Sequence, residues 1–188
     1  MDERPQFQTS GRILILTGPP GAGKTTTARE LAGAADQAGG VHVRGDDFFD
    51  YIRSGFIEPW LPGSRRQNLT ITRSLSAACF AFAAGGYFTV LDWVVGPWFL
   101  DVYRDDARRA GVLLDFVVLR PSEAQASQRA RDRIERPIAD YGPMRPLFEQ
   151  MSDMGELESH VMDTSDISIS ETVLRVGEGL RDGRYRLS

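Results

Sequence analysis

A glycine-rich segment that directly follows an apolar run constrains this chain more than any other feature. Residues 18–25 match the pattern G-x-x-x-x-G-K-[ST] without a mismatch, and the apolar residues 13–16 stand directly before them. After the segment, Ala28, Leu31 and Ala35 fall at helical spacing. A strand, a glycine-rich loop and a helix in this order let backbone N–H groups and the positive end of the helix dipole surround a phosphate group. The segment therefore predicts a nucleoside triphosphate site.

Two side chains of this loop are candidates for chemistry. Lys24 is expected to reach the β- and γ-phosphate oxygens, and the Thr25 hydroxyl is expected to hold Mg²⁺. A chance match to the pattern is the alternative, and the strand before the loop and the helix behind it argue against that alternative. The candidate nucleotide-binding residues of the loop and the start of its helix are Gly18, Pro19, Pro20, Gly21, Ala22, Gly23, Lys24, Thr25 and Thr26.

Length, charge and cysteine content limit the classes of partner. The 188 residues are expected to form a single domain, with the polar residues 1–10 flexible. No apolar stretch is long enough to cross a bilayer and no apolar signal core is present, which predicts a cytoplasmic protein. The single cysteine, Cys79, is interpreted as core packing in a reducing compartment. A net charge of −4 provides no basic field for duplex nucleic acid, so a small-molecule partner is favoured.

Apolar, β-branched runs alternate with segments of helical periodicity along the chain. This alternation predicts an α/β fold in which a parallel sheet carries helices on both faces. In such sheets ligands bind at the carboxyl ends of the strands, so functional residues are expected directly after the apolar runs. The runs are residues 12–16, 41–43, 88–95, 113–119 and 160–162.

Two adjacent carboxylates, Asp46 and Asp47, follow the second predicted strand. A carboxylate beside Mg²⁺ at this edge of the sheet can take the proton of an attacking hydroxyl, or orient that hydroxyl. Asp46 is the candidate for this role. The alternative is that Asp46 or Asp47 only caps the helix that begins near Phe48, since Asp is common at that position.

The order of these motifs resembles the small P-loop kinases, a family that includes gluconate and shikimate kinases, chloramphenicol phosphotransferase and the 5′-kinase domain of polynucleotide kinases. The loop 18–25, the turn 45–48, the strand residues 90–92 and the arginine-rich segment 129–137 carry the resemblance. It implies a five-stranded sheet of order 2-3-1-4-5, ATP and Mg²⁺ as bound groups, and transfer of the γ-phosphoryl group to a substrate hydroxyl. It also implies that Asp46 acts as the base.

The resemblance places a second acidic residue near the end of strand three, where Asp92 follows an apolar run. There the carboxylate would reach Mg²⁺ directly or through water. Because residues 93–95 continue the apolar run, Asp92 could instead lie before the strand end and pair with an arginine. The metal candidates are therefore Thr25, Asp46 and Asp92, and whether Asp47 or Asp92 shares the role of Asp46 stays open.

Arginines follow the fourth predicted strand, and Arg129, Arg133 and Arg136 fall on one helical face. In the kinases that this chain resembles, this position is a lid whose arginines close over ATP and stabilise charge on the transferred group. The resemblance makes residues 129–145 the lid region, with Arg129 and Arg133 facing phosphate. Pro137 tends to end the helix, which predicts that Arg136 lies at the hinge. The alternative is a solvated helix with ion pairs such as Arg129 with Asp132.

Aromatic residues concentrate between strands two and three and directly after strand three. They can wall a pocket for an organic alcohol, sugar or nucleoside, or they can pack as an ordinary helical cap on the sheet. Arginines of the same segment, such as Arg65, can recognise an anionic acceptor or serve as surface charge. The aromatic residues are Phe48, Phe49, Tyr51, Phe56, Trp60 and Trp98.

The resemblance places Thr164 where the loop after the fifth strand passes the adenine. Ser165 or Asp166 is expected to cap the last helix. His42 and His160 stand beside strand residues without a metal-type spacing, so both are interpreted as structural histidines.

Three hypotheses about function follow from these patterns. The first is an ATP-dependent kinase that phosphorylates a hydroxyl of a small molecule. The second keeps the fold and makes a nucleic-acid 5′-hydroxyl the acceptor, against which stand the acidic balance and the lack of a basic groove. The third is a nucleotide-binding module or slow NTPase that regulates a partner. The acceptor, the nucleotide base and the oligomeric state do not follow from the sequence.

Overall fold

Five parallel strands form one sheet in the order β2-β3-β1-β4-β5, which confirms the predicted α/β class and strand order. The computed structural model describes residues 11–35, 39–132 and 138–187. Because all pairs are parallel, the carboxyl ends of the strands meet at one edge of the sheet. The strands are β1 (Arg12–Thr17), β2 (Gly40–Arg44), β3 (Phe88–Asp92), β4 (Leu113–Arg120) and β5 (Val161–Asp163).

Helices cover both faces of the sheet. Helices α1 (Lys24–Gly33) and α7 (Ile169–Arg181) pack on one face, and α3 (Arg65–Ala84) and α4 (Pro97–Ala110) pack on the other. Within the described ranges, no helix combines the length and the apolarity that a membrane span requires. The shorter helices are α2 (Asp47–Asp50), α5 (Glu123–Arg131) and α6 (Arg145–Gln150), with 3₁₀ turns at Pro62–Ser64, Gly142–Met144 and Gly155–His160.

The central strand β1 is buried on both faces, which explains its continuous apolar run. Ile13 and Ile15 face the α3 and α4 side, and the alternate residues Leu14 and Leu16 face the α1 and α7 side. Each such side chain contributes about 1.5–3 kcal/mol by leaving water. Cys79 also lies in the core, where burial raises the pKa of its thiol to about 12, as expected for a packing residue.

The third strand is shorter than its apolar run predicts, because β3 ends at Asp92 rather than at Val95. The residues after it leave the sheet but stay inside the core: Trp93 and Val95 are buried. The Val95 N–H donates to Thr17 Oγ1 at 2.9 Å, which holds this connection against the end of β1. The apolar run therefore reflects a buried loop, and Asp92 stands at the carboxyl edge of the sheet.

A buried carboxylate in β4, Asp115, interrupts an otherwise apolar strand. The Arg12 guanidinium donates to Asp115 Oδ2 at 2.5 Å and to the Leu180 carbonyl at 2.7 Å. Arg186 donates to Asp115 Oδ1 at 3.1 Å from the C-terminal segment, which pairs with the edge of the strand. Charged groups this deeply buried are stable only when they are paired. The cluster thus ties the C-terminus to the sheet.

We expect Asp115→Ala to lower the free energy of unfolding by about 3–5 kcal/mol, because it leaves the buried Arg12 cation without its carboxylate. Urea unfolding followed by circular dichroism measures the effect. The control is Asp101→Ala, which removes an exposed ion pair with Arg104 and should change stability by less than about 0.5 kcal/mol. Equal effects of the two substitutions would contradict the assigned role of Asp115.

Candidate active site

The glycine-rich loop connects β1 to α1 at the carboxyl edge of the sheet. Gly18, Gly21 and Gly23 adopt φ values of 145°, 84° and 91°, which residues that carry a Cβ rarely adopt. A Cβ at Gly18 would lie 2.2 Å from the Leu119 carbonyl oxygen, and one at Gly21 would lie 2.0 Å from that of Ala126. Glycine is therefore required at both positions by the close approach of β4 and α5 to the loop.

Lys24 begins α1, and its ammonium group faces the loop. Its Nζ donates to the carbonyl oxygens of Gly18 at 2.9 Å and Pro19 at 3.1 Å, and the residue is buried. The next residue, Thr25, is half-buried, whereas Thr26 is exposed on the first turn of the helix. The loop thus carries a desolvated positive charge at the N-terminus of a helix, which is the arrangement that binds phosphate.

Asp92 stands beside this loop, 6 % exposed, at the end of β3. It lies near the Thr25 hydroxyl and the Lys24 charge, and His42 Nε2 is 3.5 Å from its Oδ2. Burial raises the pKa of Asp92, but His42, Lys24 and Thr25 together outweigh burial and hold the pKa below the usual value. The carboxylate is therefore ionised at neutral pH. It lies with Lys24 and Thr25, not with an arginine.

His42 is the site neighbour that the sequence analysis missed. Along β2, Val41 and Val43 join the core on the α3 and α4 side, so His42 projects to the opposite face. Its β2 neighbour Arg44 is in register with Asp92, which brings the His42 imidazole against the Asp92 carboxylate. Strand alternation combined with the strand order could have found this contact, but a spacing argument for metal ligands could not.

Asp46 lies exposed in the turn after β2. The preceding Gly45 N–H donates to the Asp92 carbonyl at 2.8 Å, so this turn adjoins the end of β3. Asp46 takes the N-cap position of α2, but its side chain makes no capping hydrogen bond. Asp47 instead lies 3.8 Å from Arg44 Nε. The capping interpretation of Asp46 is therefore wrong, while its role as base stays a prediction.

Arg129, in the last turn of α5, and Thr164, directly after β5, lie together. The Arg129 guanidinium donates to the Thr164 carbonyl at 3.1 and 3.2 Å and to the Ser165 carbonyl at 3.2 Å. Arg129 therefore binds backbone rather than Asp132, whose carboxylate accepts from Gln128 instead. The other two arginines predicted for the lid, Arg133 and Arg136, lie outside the described residues.

In its described part, the lid region contacts the phosphate-binding loop, because Tyr141 Oη donates to the Pro20 carbonyl at 3.0 Å.

The predicted cap of the last helix is wrong: Ser168, not Ser165 or Asp166, accepts from the Glu171 N–H. Ser165 is used in the turn after β5, where its N–H and hydroxyl both donate to Asp163.

The aromatic residues between β2 and β3 divide into two groups. Phe48 and Phe49 pack against the core, as a helical cap would. Tyr51, Trp60 and Trp98 have 71 %, 55 % and 46 % of their surface exposed, and Phe56 is also exposed. Large exposed aromatic side chains in one region are typical of a binding surface.

Comparison with known proteins agrees with this architecture. A family model described as an AAA domain matches residues 13–154. No curated protein sequence matches the chain. Solved structures resemble this chain over most of its length. Because their sequence identity to it is low, the likeness shows a shared fold and nothing further.

Three of these structures illustrate the likeness. A gluconokinase from Sinorhizobium meliloti 1021 is 19 % identical with a TM-score of 0.69, covering 93 % of this chain and 96 % of its own. An unliganded sugar kinase from Janibacter sp. HTCC2649 is 22 % identical with a TM-score of 0.61, covering 88 % and 91 %. The APS kinase of Mycobacterium tuberculosis in complex with AMPPNP and APS is 16 % identical with a TM-score of 0.64, covering 90 % and 96 %.

Proposed function

Because this chain belongs to the AAA domain family of P-loop proteins, we propose that it is an ATP-dependent kinase that phosphorylates a hydroxyl of a small molecule. The observation that carries the proposal is the meeting of Lys24, Thr25 and Asp92 beside the glycine-rich loop, next to the turn that bears Asp46. A buried cation, a hydroxyl and an ionised carboxylate are the groups that a Mg²⁺-bound triphosphate needs.

The residues present fit both ATP and Mg²⁺. The loop backbone and Lys24 would hold the β- and γ-phosphates, while Thr25 and Asp92 supply the oxygen ligands that Mg²⁺ prefers. Bound Mg²⁺ neutralises phosphate charge. His42, whose Nε2 lies 3.5 Å from Asp92 Oδ2, is placed to orient this carboxylate, as neighbours of metal-binding carboxylates commonly do.

The transfer step assigns a role to Asp46. The acceptor hydroxyl oxygen forms a bond to the γ-phosphorus while the bond to the β,γ-bridging oxygen breaks, so that ADP leaves. Asp46 receives the proton of the hydroxyl. Lys24, Arg129 and Arg133 stabilise the charge that spreads over the phosphoryl oxygens. For Arg129 this requires release from the Thr164 and Ser165 carbonyls that hold it.

The experiment that tests the proposal is ADP release from Mg²⁺·ATP, alone and with a panel of acceptors. The panel contains sugars, nucleosides, hydroxylated antibiotics, hydroxy acids and 5′-hydroxyl oligonucleotides. The proposal expects a rise in ADP release with one class of small hydroxyl compound. Stimulation by oligonucleotides alone would make the protein a polynucleotide kinase. A slow rate that no acceptor changes would make it a nucleotide-binding module or slow NTPase.

A separate prediction concerns Asp92. We expect Asp92→Asn to weaken binding of an ATP analogue about 10- to 100-fold in the presence of Mg²⁺, because the amide replaces a charged oxygen ligand. With EDTA in place of Mg²⁺, the affinity should stay the same or rise, since a negative charge beside the phosphates is removed. Isothermal titration calorimetry measures both values. An equal loss of affinity in EDTA would mean that Asp92 is structural and does not bind the metal.

A further inference from the structure

A tyrosine outside the phosphate-binding loop holds one peptide of that loop. The Tyr141 hydroxyl donates to the Pro20 carbonyl at 3.0 Å, although the two residues are 121 positions apart in the sequence. Because the tyrosine is only 8 % exposed, most of its surface is shielded from water. A side chain of the lid region is thus bonded directly to the loop backbone.

The Tyr141 ring is held in place by packing as well as by its hydroxyl. It lies in a small apolar cluster with Ala126 and Ala130 of α5, and both alanines are fully buried. The Ile138 N–H donates to the Ala130 carbonyl at 3.0 Å, which holds the segment before the tyrosine against the end of α5. Helix α5 in turn approaches the loop so closely that a Cβ at Gly21 would lie 2.0 Å from the Ala126 carbonyl oxygen. Packing therefore brings the hydroxyl to the loop.

The carbonyl that Tyr141 contacts belongs to the central peptide of a tight turn. The Ala22 N–H donates to the Pro19 carbonyl at 3.1 Å, and Gly21 has a φ of 84°. A turn closed by this hydrogen bond, with proline second and a positive φ at the third residue, is typical of type II. A type I turn closes with the same hydrogen bond, but its central peptide is rotated by roughly 150–170°. The turn therefore leaves open which way the Pro20–Gly21 peptide faces.

The hydrogen bond from Tyr141 selects one of these two orientations. The Pro20–Gly21 peptide is trans, so its C=O and N–H point in opposite directions. With the Pro20 carbonyl directed at Tyr141, the Gly21 N–H is directed away from the tyrosine. Gly21 is buried, yet its N–H donates to no acceptor within residues 11–35, 39–132 and 138–187. Since buried N–H groups almost always have a partner, this donor is suited to an oxygen of a bound phosphate.

We propose that Tyr141 is a positioning residue for nucleotide binding: its hydroxyl holds the Pro20–Gly21 peptide in the orientation in which the Gly21 N–H binds a phosphate oxygen of the nucleotide. The hydrogen bond also polarises the peptide, because a carbonyl that accepts a hydrogen bond makes the N–H of its own peptide a stronger donor. The inference rests on the nucleotide-binding part of the proposed function and not on the transfer step.

The sequence supplies a selective probe of this peptide. Only two of its ten prolines are followed by glycine, in Pro20–Gly21 and Pro62–Gly63. Protein labelled with ¹³C at the proline carbonyl and ¹⁵N at the glycine amide therefore gives two signals in an NMR spectrum that correlates each carbonyl with the next N–H. The Gly63 signal is an internal control, since this residue lies in the 3₁₀ turn Pro62–Ser64, outside the loop.

Two variants separate the hydroxyl from the packing of the ring. Tyr141→Phe removes the hydroxyl and keeps the ring that packs on α5. The matched control is Tyr103→Phe, because the Tyr103 hydroxyl is buried in the core and makes no hydrogen bond within the described part of the chain. The probe is ADP with Mg²⁺ and without an acceptor, and isothermal titration calorimetry measures its affinity.

We expect Tyr141→Phe to weaken ADP binding about 3- to 10-fold, which is the effect of one hydrogen bond on a binding constant. Tyr103→Phe should bind ADP as wild type does. Unchanged affinity in Tyr141→Phe, or an equal loss in Tyr103→Phe, would overturn the inference.

The NMR signals distinguish a positioning role from a structural one. In the ligand-free protein, Tyr141→Phe should move the Pro20 carbonyl and Gly21 amide signals and leave those of Pro62 and Gly63 in place. Addition of ADP should shift the Gly21 amide proton downfield in wild type and less in the variant. A loss of affinity without movement of the Pro20 and Gly21 signals would overturn the inference, because the tyrosine would then act through packing alone.

The two proposals fail differently. If Tyr141→Phe weakens ADP binding as expected but no acceptor stimulates ADP release, the kinase proposal fails and the role of Tyr141 stands. If an acceptor is phosphorylated and Tyr141→Phe binds ADP as tightly as wild type, the kinase proposal stands and the role of Tyr141 fails. If wild type binds neither ADP nor an ATP analogue, both fail.

Discussion

Lys24→Ala is expected to reduce turnover by a factor of about 10³ or to below detection, while the melting temperature of the ligand-free protein stays nearly unchanged. Under the proposed function, the ammonium binds the transferred phosphoryl group and stabilises the charge that develops on it. In the fold, Lys24 Nζ donates to the Gly18 and Pro19 carbonyl oxygens of its own loop. Steady-state ADP release and thermal unfolding measure the two effects.

A chemical control is available because Lys24 is the only lysine in the 188 residues. An amine-reactive acylating reagent can therefore modify only Lys24 and the N-terminal amine, and peptide mass spectrometry separates the two. Mg²⁺·ATP should protect Lys24 from the reagent and leave the N-terminus reactive. A large loss of stability in Lys24→Ala, or no protection by nucleotide, would show that the lysine is structural.

Asp46→Asn is expected to lower phosphoryl transfer by a factor of about 10² or more and to leave ATP affinity unchanged. The amide preserves the shape of the side chain but cannot accept the proton of the acceptor hydroxyl. Since the Asp46 side chain makes no capping hydrogen bond to α2, the substitution should not unfold the turn. Single-turnover transfer and calorimetric titration with an ATP analogue measure these quantities.

Asp47→Asn is the matched control, because Asp47 is adjacent but lies near Arg44. Its transfer rate should remain within a few-fold of wild type. If Asp47→Asn alone lowers transfer, the base is Asp47. If neither substitution changes transfer, no carboxylate of this turn acts in the reaction.

The topology of the sheet could be predicted because parallel strands buried on both faces read as continuous apolar runs. The glycine-rich motif predicts that β1 is the strand directly before the loop, and the family resemblance implies the strand order. The end of β3 could not be predicted from the same signal. A buried loop through Trp93 and Val95 has the composition of a strand. The two are distinguished by the strand pairing, which ends at Asp92, and by the hydrogen bond from the Val95 N–H to the Thr17 side chain.

Contacts between distant segments were the main source of error at the site. The approach of His42 to Asp92 depends on strand alternation together with the pairing of β2 with β3, and a search for metal-ligand spacing within one segment does not address it. The pairing of Asp115 with Arg12 and Arg186 joins three separate parts of the chain. The prediction of the α7 cap was wrong for a local reason. Ser165 donates to Asp163 in the turn after β5, and the helix begins only after Ser168, which caps it.

The fate of the γ-phosphoryl group tests the kinase proposal most directly. ATP labelled with ³²P at the γ-position is incubated with the protein, Mg²⁺ and the acceptor that stimulates ADP release, and the products are separated by chromatography. The kinase proposal predicts that the label moves to the acceptor as a phosphate monoester, in equal amount to the ADP formed, and that Asp46→Asn abolishes this product. Label that appears only as inorganic phosphate, at a rate indifferent to acceptor and to Asp46→Asn, would contradict it.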